Sequence, residues 1–170
     1  MIKFKSTLLL VIICIAFQTE SFSQSFSTGL ETNDCMGSVV YYSIVTSDSD
    51  GWGFDESKVK SITREMLFEN DLLPQEYSSN RRPDNCHPLF DPGMLRVHIF
   101  TTFDVFSMSV LFYRNNYFRV TDSEWLSKFA PIWGAPVLGK ERNKNPDKIY
   151  DTLRSQLSHF IDQYKKSNNL

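Results

Sequence analysis

Two cysteines, Cys35 and Cys86, are the residues whose type and spacing most directly invite chemistry. In an oxidising compartment they can close on each other as a disulfide, favoured by the even count that remains once a leader holding the third cysteine, Cys14, is removed. The competing use is a thiol site at Cys86-His87. Neighbouring residues in extended chain point apart, so that dipeptide makes no thiolate–imidazole pair unless the fold brings a base to it. Zinc is a weaker reading. Beside the two cysteines stand only His87, His98 and His159, with no CxxC and no HxxxH spacing.

The acidic run from Asp48 to Glu56 suggests a calcium loop. With Gly51 at the sharp turn, however, the closing position falls on Ser57, and the bidentate glutamate is missing. The run reads instead as a polar turn that ends in a helix N-cap. Gly51-x-Gly53 lacks the further glycine and the GK[ST] ending of a phosphate loop, and no G-x-S-x-G elbow is present. Asp84 and Asp91 lie near Arg81 and Arg82, an arrangement more typical of surface ion pairs than of an acid–base couple. No cofactor and no metal is therefore expected.

The chain has 170 residues, 18 basic and 20 acidic, and a formal net charge of −2. That balance leaves no basic footprint for nucleic acid or anionic lipid. Lys3 and Lys5 precede an apolar run, Thr7–Phe17, which is about half of the roughly 20 residues needed to span a bilayer. Ser21-Phe22-Ser23 then offers a small-x-small cleavage site. Residues 1–23 thus read as a secretory leader, and the chain as exported, periplasmic or extracellular, with no stable membrane span after cleavage. Cys14 sits inside the apolar run after Ile13, so it does not read as a lipidation site. The remaining chain is long enough to bury close to ~70% of its unfolded surface.

Residues 24–36 read as an irregular lead-in, residues 37–166 as one domain and residues 167–170 as a tail. GSVVYYSIVT (37–46) is a strand by its β-branched and aromatic content. A helix capped by Asp55 or Ser57 runs to about Asn70 on Val59, Ile62, Met66 and Leu67. A proline-rich loop follows, Pro74–Gly93. Met94–Thr102 alternates, with Leu95, Val97 and Ile99 against Arg96, His98 and Phe100. A turn at 102–104 returns the chain through Val105–Arg114 as a hairpin. Ser123–Phe129 reads as a short helical turn and Ala130–Trp133 as a short strand closed by Gly134, Pro136 and Gly139. Asn145-Pro146 starts the last helix, whose apolar face carries Ile149, Leu153, Leu157, Phe160, Ile161 and Tyr164.

The expected class is α+β: a mostly antiparallel four-stranded sheet with two helices packed on one face, in the order β-α-β-β-(β)-α. The first two strands are expected to be parallel, joined through the helix. That would bring Cys35 and Cys86 to the same end of the sheet. Aromatics are in excess, with 14 Phe, 7 Tyr and 3 Trp, and many fall along the central strands. They imply either a two-sided core or a face that takes an apolar ligand or partner. The candidate interaction surface comprises Phe100, His98, Phe106 and Tyr113, with Arg81 and Arg82 from the loop.

Phe112-Tyr113-Arg114 at a strand end, Ala130-Pro131-Ile132-Trp133, Gly139 and the closing Phe160-Ile161…Tyr164…Asn168-Asn169 resemble the tail of a group of uncharacterised exported bacterial α+β proteins. The resemblance covers residues 94–170. It implies structural roles for the tryptophan strand and the last helix, and brings no catalytic residues. The reading that results is an exported, non-catalytic interaction module that binds an envelope protein or an apolar partner through the sheet face or the Pro74–Gly93 loop. The alternatives are a small thiol- or hydrolase-type enzyme at Cys86-His87 and a carrier of an apolar ligand.

Overall fold

The structure, a computed structural model, describes residues 22–23, 26–27, 39–76, 93–119 and 125–170. Cys35, Cys86, His87, Arg81 and Arg82, and residues 1–21 of the leader, lie outside the described residues.

The strands are β1 (Phe22–Ser23), β2 (Phe26–Ser27), β3 (Val39–Asp48), β4 (Leu73–Glu76), β5 (Met94–Thr102), β6 (Val105–Arg119) and β7 (Trp125–Lys140); the helices are α1 (Glu56–Glu69) and α2 (Pro146–Asn168). The class is α+β, with five main strands rather than four, in the order β7-β6-β5-β3-β4. Among these five strands two pairings are parallel and two antiparallel, and β1 and β2 add antiparallel pairings on the far side of β7. β3 pairs in parallel with both β4 and β5, whereas β5–β6 and β6–β7 are antiparallel. The parallel pairing of the first long strand with Met94–Thr102 is as expected.

Four expectations need correction. The segment after α1 begins with a strand, β4, although Pro74 stands in it. Proline removes a ladder donor and is tolerated at a sheet edge, and β4 is an edge. Residues 125–129 are strand, not helical turn, and β7 continues through Gly134, Pro136 and Gly139. A register shift lies opposite Phe112/Tyr113, where Phe112 faces Trp133 and Tyr113 faces Pro131. Ile132 is the extra residue of this bulge, which lets the long strand absorb a kink without ending. Within the supposed irregular lead-in, Phe26–Ser27 pairs with Gly134 and Trp133, and at the end of the expected leader Phe22–Ser23 pairs with Leu138 and Val137. The last helix also runs on to Asn168, into the presumed tail.

The helices start where their caps dictate. Asp55 accepts from Ser57 N at 2.8 Å, and Asn145 accepts from Asp147 N at 3.0 Å, each satisfying an otherwise orphaned donor. The two helices are tied at both ends. Asp55 N donates to the Tyr150 hydroxyl at 2.8 Å, and Lys165 Nζ donates to the Asn70 carbonyl at 3.2 Å. Both pack on one face of the sheet. Val59, Ile62 and Leu67 of α1 and Ile149, Leu153, Leu157, Phe160, Ile161 and Tyr164 of α2 share one core with Val40, Tyr42, Leu95, Val97, Ile99, Met108, Val110, Phe112 and Trp133.

Candidate binding face

A sheet buried by helices on one side alternates two sets of side chains. Lateral register therefore defines the other face row by row. At one end stand Tyr41, Met94, Tyr113 and Pro131. Next come Ser43, Arg96, Leu111 and Gly134, then Val45, His98, Ser109 and Pro136. The last row is Ser47, Phe100, Ser107 and Leu138. The rows differ in environment. Tyr41 and Met94 are buried, whereas Phe100 and Leu138 are 44% and 58% exposed. Arg96 and His98 lie between these limits, half-buried.

This face holds His98, Phe100 and Tyr113 of the expected interaction surface. It does not hold Phe106, which is fully buried on the helix side, edge-to-face with Trp52 at a centroid distance of 5.9 Å. The cause is the two-residue turn Phe103-Asp104, which sets Thr101 opposite Phe106. Even-numbered residues of β6 thereby share a face with odd-numbered residues of β5, and Phe100 and Phe106 point to opposite sides.

Arg96 was legible only as the polar neighbour in an alternating strand, yet it is the chemically distinctive residue here. Its guanidinium lies over the Tyr113 ring, 5.1 Å from the centroid. Its Nε is buried and has no hydrogen-bond partner. His98 Nε2 and Ser43 Oγ are buried and unpartnered as well. Ser43 is the direct register partner of Arg96 and His98 is two positions along the same strand. Burial holds the His98 imidazole below its ordinary pKa, and the Arg96 charge pushes in the same direction. The imidazole edge rests against Phe100 at 6.1 Å.

The polar residues beyond this face are committed elsewhere. Asp48 accepts from Trp52 N and Gly53 N, both at 2.9 Å, and from the Thr101 hydroxyl at 2.8 Å. Asp50 accepts from Phe103 N at 2.6 Å, while the Trp52 indole donates to the Phe103 carbonyl at 3.0 Å. The acidic run is thus a clamp. It holds the hairpin turn, where Phe103 takes a left-handed φ of 49° that a bulky residue adopts only under constraint. Among the described residues, no group of three or more His, Cys, Asp or Glu is placed to hold a metal ion. No described helix is long and apolar enough to cross a membrane.

No protein-family model and no curated protein matches the chain. Among solved structures the chain is similar to a single-substitution variant of the PelC dodecamer from Paraburkholderia phytofirmans, with 12% identity, a TM-score of 0.45, and coverage of 82% of this chain and 96% of that one. It is also similar to the PelC dodecamer of the same organism, with 13% identity, a TM-score of 0.43, and coverage of 87% and 96%.

Proposed function

We propose that the protein is an exported, non-catalytic binding module that meets its partner with the sheet face turned away from the helices. The observation that supports this reading is the set of buried, unpartnered polar atoms on that face, Ser43 Oγ, Arg96 Nε and His98 Nε2. Buried polar groups are almost always hydrogen-bonded, because leaving one unpaired costs about 1–3 kcal/mol. Ser43 and His98 flank Arg96 in register, so the unpaired atoms mark a polar centre on this face, where the part-buried Arg96 guanidinium is the group that would meet a second molecule. The apolar rim of Val45, Phe100 and Leu138 supplies the exposed hydrophobic contact that a partner covers.

Site-specific photo-crosslinking in the native compartment tests this. A photoreactive residue replaces Phe100 in one variant and Phe68 in another. Phe68 is 68% exposed on α1, on the opposite side of the molecule, and serves as the control. A discrete adduct from position 100 that is absent from position 68 is the expected result. The same pattern from both positions, or no adduct from position 100, overturns the reading. The export half is checked by the intact mass of the protein recovered from the envelope, which should begin at Gln24. Recovery of the full-length mass from the cytosol refutes it.

A further inference from the structure

Among the described residues, Arg96 is a cation without a counter-ion. Its one described contact is the face of Tyr113. The acidic side chains nearest in register to its sheet are engaged elsewhere, Asp48 by Trp52, Gly53 and Thr101, and Asp104 by Lys140 at 3.1 Å. A guanidinium stacked on an aromatic ring keeps its in-plane N–H groups free, and that planar fork matches a carboxylate in two-point contact. Ser43 Oγ and His98 Nε2 beside it are buried, so they line the site without reaching its surface, and the contact falls to the guanidinium.

Building on the proposed binding face, we infer that the Arg96 guanidinium recognises a carboxylate on the partner protein, presented next to an apolar side chain that sits on Phe100 and Val45. Charge selects the carboxylate over other anions. Arg96 is the one permanently charged residue in the two central rows of the face, amid Val45, Leu111 and Pro136. One cation neutralises a monoanion. A phosphate near its second ionisation would bring a further negative charge into apolar surroundings, where an unpaired charge is costly. The apolar requirement follows from the neighbouring row, in which Phe100 and Leu138 leave hydrophobic surface exposed beside the cation.

Hydrocinnamate, which joins a carboxylate to an apolar ring, is the probe. Its alcohol analogue and inorganic phosphate are the controls. The readout is the side-chain Nε–H resonance of Arg96 in the mature protein. Hydrocinnamate should shift it saturably, and Arg96→Met should weaken binding by about tenfold or more, as expected for losing a charge-assisted hydrogen bond. Arg96→Lys, which keeps the charge and loses the fork, should fall between. Equal binding of acid and alcohol overturns the inference, as does tighter binding of phosphate or unchanged affinity in the methionine variant. Thermal melts establish that both variants fold. The crosslink separates this inference from the reading beneath it. If the adduct at position 100 persists undiminished in the Arg96→Met background, the face binds a partner without the carboxylate contact, and this inference alone fails. If no adduct forms even with Arg96 present, the binding face itself fails.

Discussion

The two faces of the sheet are built from alternate residues of the same strands, yet they solve opposite problems. On the helix side, Phe112, Trp133, Phe160 and Tyr164 meet in one aromatic cluster, with ring centroids 5.2–5.8 Å apart in tilted and edge-to-face contacts. The Trp133 indole there donates to Gln163 at 2.8 Å. On the other side, apolar residues remain half-exposed, and Arg96 and His98 hold buried polar atoms without partners. A single strand such as β5 places Val97 in the first environment and His98 in the second. If the second face binds as proposed, stability and recognition are separated by side-chain alternation rather than by domain, and substitutions one residue apart should have different consequences.

The largest expected effect comes from emptying the dry face. Phe160 touches Phe112, Trp133 and Tyr164 and is fully buried. Phe160→Ala should cost about 3–5 kcal/mol, because the lost transfer energy and the cavity left behind add together. A urea titration reads this as a lower midpoint with an unchanged slope. Phe100→Ala, of similar chemistry on the other face, should leave the midpoint almost in place. Equal losses at the two positions would dissolve the distinction between the faces.

The next effect tests close packing rather than volume. A Cβ on Gly139 would run into the Phe106 ring, and one on Gly93 would run into the Phe112 ring. Both rings are fully buried and have little room to retreat. Gly139→Ala should therefore destabilise by about 1–3 kcal/mol, as overpacked sites do. A smaller loss would mean that β7, whose far side carries the two-residue strands β1 and β2, yields more readily than the centre of the sheet.

These glycines also mark the limit of what the sequence discloses. Gly134, Pro136 and Gly139 read as the end of a strand, because glycine and proline usually interrupt one. In the folded chain Gly139 makes room for an aromatic ring from β6, a contact of long sequence separation that no local pattern encodes. Pro74 hides β4 for a similar reason, since edge position makes a proline acceptable and position in the sheet is a tertiary fact. The caps Asp55 and Asn145, the alternation of β5 and β6 and the apolar stripe of α2 are local, and all were legible. The candidate site was legible in part. Alternation put Arg96, His98 and Phe100 on one face. Grouping Phe106 with them failed because the two faces of the hairpin must be matched across its turn, and the lack of a partner for Arg96 among the described residues is visible only once their carboxylates have been placed.

The clamp at the end of β3 gives a smaller effect with a pH signature. Burial alone would raise the Asp48 pKa, but donation from Trp52 N, the Thr101 hydroxyl and Gly53 N outweighs it and holds the carboxyl below its ordinary value. A depressed carboxyl contributes stability that is present above the unfolded pKa and is lost as pH falls through the folded one. Asp48→Ala should cost about 1–2 kcal/mol at neutral pH. The gap between variant and parent should narrow on acidification below about pH 4. Denaturant midpoints across that range check it, and a gap that stays constant would show the hydrogen bonds to matter less than the shape of the turn.

The smallest effect concerns His98 and bears directly on the contrast between the faces. Burial first, and then the neighbouring Arg96 charge, lowers its pKa in the folded chain. An unfolded histidine takes up its proton near pH 6.5, about where the folded one still refuses it. As pH falls below that value the unfolded chain binds more protons, so stability declines until the folded His98 also titrates, and then levels off. His98→Gln should flatten this slope between about pH 5 and pH 8, in a range where histidine is the natural switch. Stability profiles of the two proteins read the difference. Hydrocinnamate sharpens the test, because a carboxylate held by Arg96 offsets the charge that depresses the imidazole. Saturating the protein with it should move the His98 titration upward, whereas the alcohol should not. A His98 that titrates identically with both would place the bound ring on the apolar rim and leave Arg96 as an unpaired cation within the sheet.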